Sequence, residues 1–255
     1  MADLPTSMID VADRVRRLEA SRSMDAVVAR LLEIEREKDG YRNPDRRPGS
    51  RRFRRMAKRP DGVACFNFMY LRVTEEVRRR LPEFQAPESV QRLAVVFAEF
   101  YLMAYGAARD QEWVSKAWAP LVEEKDDKGI LPLQFALAGM NAHINNDLAW
   151  ALIQVWDELG AEPLADSPEH QDFVKVNAVL GAVQVEVRAT LESGFLKWLD
   201  RILGRIDDVV AEVVISKARE EAWARARRWR GSVDADRAAA HEREVGYQSH
   251  LILGA

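Results

Sequence analysis

Apolar side chains recur at spacings of three and four residues along most of the chain, which is the period of α-helices that bury one face. No sustained alternation of apolar and polar residues suggests a β-strand. We therefore expect an all-α fold, a single-domain bundle of eight or nine helices. The predicted helices cover about 7–20, 23–38, 61–81, 88–109, 111–121, 131–159, 169–191, 206–230 and 233–245, with a short segment near 195–203.

The segment 88–109 is the most apolar of these helices, and its broad stripe of large side chains predicts a position in the middle of the bundle. Asp61 and Gly62 are suited to start the next helix upstream, and Gly160 is suited to end the long helix 131–159. We find no internal repeat and expect one domain over 1–255. Residues 232–255 are expected to form a peripheral C-terminal segment.

Composition agrees with a globular protein, since 47% of the 255 residues are hydrophobic and 31% are charged. The single cysteine excludes a disulfide scaffold and a cysteine-based zinc site. The first ten residues lack the pattern of a signal peptide, and the longest apolar stretch, 93–108, contains Glu99 and is too short to span a bilayer. We expect a cytoplasmic protein without membrane contact.

Charge is concentrated in one segment: residues 42–59 hold nine basic side chains and one acid, Asp45, within a chain of net charge −3. The prolines and glycine of this segment predict a solvated loop over 42–60 between two helices, although a partner-facing role is also open. The remainder of the chain is acidic, and no nucleic-acid-binding motif is present. We therefore expect no nucleic acid partner.

Candidate chemistry lies in the middle of the long helix, at residues 139–148. Three asparagines, a histidine and an aspartate within seven residues are poor helix formers, so an ordinary surface helix would not favour them. Helical spacing places Asn141 within the apolar face and puts Asp147 and His143 together on one flank. The same spacing directs Asn146 outward.

His143 and Asp147 are four residues apart, so their side chains can meet on a helix. A carboxylate beside an imidazole selects its tautomer, which suits a general acid or base. A buried asparagine such as Asn141 needs several hydrogen-bond partners and so implies a polar pocket or network. The alternative is that all three residues tie the helix to its neighbours.

The chain resembles an uncharacterised, all-helical bacterial family of unknown function that is frequent in actinobacteria. The most specific part of the resemblance is Asn-Ala-His-Ile-Asn-x-Asp-Leu at 141–148, and further motifs lie at 61–74, 97–101, 172–177 and 219–223. The family supplies no activity. The resemblance implies that four more polar residues belong with His143 and Asp147, namely Tyr70, Tyr101, Asn177 and Arg219.

Our leading hypothesis is a cofactor-independent enzyme of biosynthetic metabolism, with an apolar or aromatic small molecule held between helices. Asp147 and His143 would catalyse a cyclisation, condensation or isomerisation by proton transfer. Asn141 with Tyr101 or Tyr70 would hold a polar group of the substrate, and Trp118 is a further candidate for the pocket wall.

Two alternatives remain, a non-catalytic ligand-binding or interaction protein and a metal-dependent helical enzyme. The metal site would combine His143, Asp147 and Glu99, but the other histidines form no second paired motif, so we expect no metal. No glycine-rich nucleotide loop or P-loop is present, and we expect no cofactor. Cys65 is expected to be a packed core thiol.

Overall fold

The computed structural model describes residues 5–17, 23–39, 60–161, 164–191 and 208–254. These residues contain no β-strand and form nine helices, which confirms the predicted all-α fold and helix number. The helices are α1 (Met8–Arg17), α2 (Met24–Glu37), α3 (Gly62–Arg79), α4 (Pro87–Asp110), α5 (Ala119–Glu124), α6, which runs in three parts (Pro132–Asn141, Ala142–Asp147 and Leu148–Leu159), α7 (Pro168–Leu191), α8 (Asp208–Trp229) and α9 (Ala235–Leu253).

Local sequence explains where several helices begin and end. Ser23 and Asp61 cap α2 and α3, because their side chains accept hydrogen bonds from the backbone N–H groups of Ala26 and Ala64. The long helix α6 ends as predicted at Gly160, whose φ of +60° is the left-handed conformation that glycine adopts without strain.

The helix predicted over 111–121 is wrong in its start. Gln111 adopts a left-handed conformation, with φ of 59°, and ends α4 there. Helix α5 begins only at Ala119 and has Pro120 in its first turn. Proline is suited to this position because the N–H groups of a first turn have no acceptor within the helix, so its missing N–H costs nothing. The intervening turn brings Trp118 into the core, where its side chain is 2% exposed.

Helices α3, α4 and α6 make up the centre of the described structure. Helix α3 packs against α2, α7 and the first part of α6, while α4 and α8 pack against the last part of α6. Burial of large side chains such as Phe66, Tyr101 and Phe135 supplies the main stabilisation, at about 1.5–3 kcal/mol for each fully buried side chain. Cys65 is also fully buried, as expected.

Helix α9 extends to Leu253 and is more deeply integrated than a peripheral segment. It packs along α5 and α6, and Val245 and Ser249 are fully buried. At Gly246 the backbone approaches so closely that an added Cβ would lie 2.2 Å from the Lys116 carbonyl oxygen. The carboxylate of Glu242 accepts a hydrogen bond from the Lys116 backbone N–H.

Two predicted features lie outside the described residues, the basic loop within 42–59 and the short segment near 195–203. Among the helices that the structure describes, none is long and apolar enough to cross a membrane.

Candidate functional site

The polar motif of α6 forms a π-helical turn over Ala142–Asp147. A π turn contains one more residue than an α turn, so it shifts the register of the side chains that follow. The prediction that Asn146 points outward is wrong for this reason, since Asn146 is only 2% exposed. The turn thus directs three neighbouring polar side chains into the core: His143, Asn146 and Asp147.

Asp147 is the acceptor at the centre of this cluster. Its Oδ2 accepts a hydrogen bond from the Trp118 indole Nε1–H at 3.0 Å and lies 3.0 Å from His143 Nδ1. Its Oδ1 accepts a hydrogen bond from the Asn146 amide at 2.8 Å. The carboxylate is 1% exposed, so these three donors replace the water that would otherwise solvate it.

The contact with Asp147 determines the tautomer of His143. A carboxylate oxygen accepts, so Nδ1 carries the proton and Nε2 keeps its lone pair. Burial lowers the pKa of the imidazole, and this effect outweighs the opposite effect of Asp147. His143 is therefore neutral at pH 7, and its Nε2 is buried without a hydrogen-bond partner among the described residues.

Aromatic rings hold the imidazole in place. Phe97 stacks on its face, with ring centroids 3.5 Å apart and planes at 4°. The rings of Tyr70 and Phe66 pack against the imidazole in edge-to-face geometry, with centroid distances of 4.7 and 5.8 Å. His143 is therefore a rigid part of the core with one free nitrogen.

His143 lines a cavity of about 120 Å³ between α3, α4, α6, α7 and α8. Its wall is mostly aliphatic and aromatic. Along α3 the wall extends from Phe66 to Val77, which are three helical turns apart, or about 16 Å. Among the sequence-predicted site residues, Tyr70 and Arg219 line this cavity together with His143.

Arg219 is an unusual residue for an apolar wall, because the residue is only 5% exposed and forms no ion pair with another described residue. Its Nη2 donates a hydrogen bond to the Phe173 carbonyl oxygen at 2.7 Å, and its Cζ lies 4.2 Å from the centre of the Phe173 ring. Burial lowers the pKa of Arg219 to about 10, so the side chain stays charged at neutral pH.

Tyr101 and Trp118 lie behind the histidine and do not line the apolar cavity. The Tyr101 hydroxyl donates to Asn67 Oδ1 at 3.2 Å, and Asn67 in turn donates to Glu35. Trp118 donates to Asp147 from the opposite side of the cluster. Their positions suit support of the site more than contact with a ligand in this cavity.

The other two predicted substrate-binding residues are also separate from the cavity. The Asn141 amide donates to the Val245 carbonyl oxygen at 2.9 Å and to the Ser249 hydroxyl at 3.0 Å, so it joins α6 to α9. Asn177 donates to Ser216 Oγ at 3.0 Å and joins α7 to α8.

A second cavity of about 340 Å³ lies on the far side of the cluster. It is more polar than the first, and Trp118, Asp147 and Glu99 line it together with Ser115, whose buried hydroxyl has no hydrogen-bond partner among the described residues. Asp147 therefore lies between the two cavities. Within the part of the chain that the structure describes, no three histidine, cysteine or acidic side chains are grouped as metal ligands.

Sequence reasoning missed Phe97 and Trp223 as cavity residues. A signal for Trp223 was available, since it follows Arg219 by four residues and so shares its helix face. Its indole N–H is buried and has no hydrogen-bond partner among the described residues. Phe97 begins the motif at 97–101, but it carried no other signal, because an aromatic residue in an apolar stripe is ordinary core.

The model of a family of unknown function, DUF5995, matches the chain over residues 50–254. No curated protein and no solved structure matches the chain. The matched region contains α3 to α9 and with them every residue of the cavity wall named above. The chain is thus a member of DUF5995, a family whose function is not known.

Proposed function

We propose that the protein is a small-molecule enzyme in which His143 transfers a proton to or from a substrate in the apolar cavity. The observation that carries this proposal is the buried Nε2 of His143, which has no partner, at the wall of a cavity. A polar atom left unpaired in a core costs about 1–3 kcal/mol, which a merely structural histidine would not need to incur.

The surroundings of His143 suit a general base. Asp147 holds Nδ1–H, which leaves the Nε2 lone pair in one direction and stabilises the imidazolium that forms after proton uptake. The lowered pKa of the imidazole keeps it unprotonated and ready to accept a proton at neutral pH.

Tyr70 supplies a second polar group on the same wall. Burial raises the pKa of its phenol, so the hydroxyl remains a neutral donor that could hold a substrate oxygen. One base and one donor in an apolar cavity support the reactions that proceed by proton transfer alone, such as isomerisation or cyclisation. We place the substrate among small molecules with a large apolar part.

A non-catalytic ligand-binding protein is the alternative that one observation favours. The imidazole is packed face to face on Phe97, and Asp147 already accepts hydrogen bonds from three buried donors. So rigid a wall also suits passive binding. The two functions differ in whether Nε2 removes a proton.

The test is incubation of the protein with a metabolite extract in D₂O, followed by mass spectrometry. An enzyme of this kind would convert a metabolite or introduce deuterium from solvent into it. His143→Asn keeps a donor near the Nδ1 position and removes Nε2, so this variant should fold and lose the activity. His250→Asn, at an exposed position, is the matched control and should keep it.

Retention of turnover by His143→Asn would refute the catalytic assignment. Binding of a metabolite without conversion or deuterium uptake, in both the wild type and His143→Asn, would establish the passive alternative.

A further inference from the structure

The wall of the apolar cavity contains two buried N–H donors that have no partner among the described residues, Arg219 Nε and Trp223 Nε1. They lie four residues apart on α8 and therefore on one helix face, one turn from each other. Buried donors are almost always paired in native proteins, so two unpaired donors on one wall indicate an acceptor that the described residues do not supply.

The acceptor should be an anion, because Arg219 is a buried cation that forms no ion pair with any residue that the structure describes. The charge of the neighbouring Glu220 raises the pKa of Arg219, but less than burial lowers it. The Glu220 carboxylate itself lies 3.3 Å from His170, and its side chain is 43% exposed. Glu169 also lines the cavity but forms no ion pair with Arg219 in the described structure. A buried charge of this kind is costly unless a charged partner binds it.

We propose that the cavity binds a medium-chain carboxylate, with its head group on Arg219 and Trp223 and its apolar chain along α3 toward His143. This inference rests on the proposed function only for its site, because it concerns binding and not the reaction. It names the substrate class that the proposed enzyme would take.

The positions of the neighbours support this orientation. Arg219 donates to the Phe173 carbonyl oxygen on α7. The carboxylate of Asp172, the residue before Phe173, accepts hydrogen bonds from the backbone N–H groups of Gln85 and Ala86, which lie near the C-terminal end of α3. His143 lies instead beside Phe66 and Tyr70, toward the start of α3. The anchor and the base are thus separated along the cavity.

The small cavity volume selects a slender ligand. About 120 Å³ distributed along three helical turns of wall suits a single alkyl chain or one aromatic ring better than a fused ring system. A planar guanidinium also matches a carboxylate geometrically, because its parallel N–H groups can bond both oxygens.

The experiment is calorimetric titration of the wild-type protein with octanoate and with 1-octanol, its neutral analogue. A charge-assisted contact predicts that octanoate binds at least about tenfold more tightly. Equal affinity for the two would overturn the proposal. Octyl phosphate is the third ligand, and affinity about tenfold above that for octanoate would replace the carboxylate by a phosphate head group.

Arg219→Met removes the charge and keeps much of the side-chain volume. It should reduce the affinity for octanoate by at least about tenfold and leave that for octanol unchanged. Arg227→Met, at an exposed position of the same helix, is the matched control and should bind as the wild type does. If Arg219→Met does not fold, Arg219→Lys is the second variant, since it keeps the charge without Nε. It should still bind octanoate more tightly than 1-octanol, but by a smaller factor than the wild type.

The outcome for this proposal is separable from that for the proposed function. In His143→Asn, octanoate should still bind more tightly than 1-octanol by the same factor as in the wild type, since the charged anchor is Arg219. Arg219-dependent binding without any turnover would refute the catalytic role of His143 and leave the carboxylate site standing. Turnover of an uncharged metabolite at an unchanged rate in Arg219→Met would refute the carboxylate site and leave the catalytic role of His143 standing.

Discussion

Removal of the Asp147 side chain tests the arrangement on which the site depends. In Asp147→Ala, the donors of Trp118, His143 and Asn146 lose their common acceptor in a part of the core that is at most 2% exposed. Each unpaired buried donor costs about 1–3 kcal/mol, so for three donors we expect a loss of about 3–9 kcal/mol in the free energy of unfolding. This loss approaches the total stability of many domains, which is about 5–15 kcal/mol.

The assay is urea denaturation followed by tryptophan fluorescence, with Asp147→Asn and Asp157→Ala alongside. Asp147→Asn keeps the volume and one acceptor oxygen, so it should lose about half as much as Asp147→Ala. Asp157 lies on the same helix, but its ion pair with Arg230 is 46% exposed on the aspartate side, so Asp157→Ala should change stability by less than about 0.5 kcal/mol. A loss below about 1 kcal/mol in Asp147→Ala would refute the reasoning.

Two further predictions concern α9 and pH. Gly246→Ala should destabilise the protein by about 1–3 kcal/mol, because its Cβ would lie 2.2 Å from the Lys116 carbonyl oxygen. The control Gly106→Ala, whose Cβ would have no atom within 4 Å, should stabilise the protein slightly. Equal shifts of the melting temperature in the two variants would contradict this prediction. The pKa of His143 is lowered in the folded state, so as the pH falls the unfolded chain takes up a proton on this residue before the folded protein does. The free energy of unfolding of the wild type, relative to that of His143→Asn, should therefore fall as the pH drops below 6.5 and stay level above it. Burial raises the pKa of Glu242, which has the opposite effect on stability, but Glu242 is present in both proteins and so cancels from the comparison. A difference in the free energy of unfolding that stays constant between pH 5 and 8, measured by chemical denaturation, would refute the lowered pKa of His143.

The helices could be predicted because their causes are local. Apolar period and capping residues such as Ser23, Asp61 and Gly160 specify where helices α2, α3 and α6 begin or end, whatever the rest of the chain does. The start of α5 depended on a left-handed residue, Gln111, and a non-glycine residue in that conformation leaves no clear signal in the sequence.

The candidate site could be predicted only in part. The contact between His143 and Asp147 follows from a spacing of four residues, and the low helix propensity of their neighbours marked the turn as unusual. The π-helical register could not be deduced from a helical wheel, which assumes 3.6 residues per turn and directs Asn146 to solvent.

Which predicted residues share the cavity depends on how distant helices dock. Tyr70 and Tyr101 both lie near His143, yet only Tyr70 lines the cavity, because Tyr101 is oriented toward Asn67 on the α2 side of α3. Asn177 lies one turn beyond Phe173 and bonds to α8 instead of facing the cavity. Periodicity within one helix carries no information on such contacts between helices.

Nitrogen NMR of His143 tests the central claim most directly, namely that Asp147 presents an unprotonated Nε2 to the cavity. In ¹⁵N-labelled protein at pH 7, the signals that are missing from His143→Asn should show a protonated Nδ1 and an unprotonated Nε2. A protonated Nε2 at this pH, or an unprotonated Nδ1, would contradict the account.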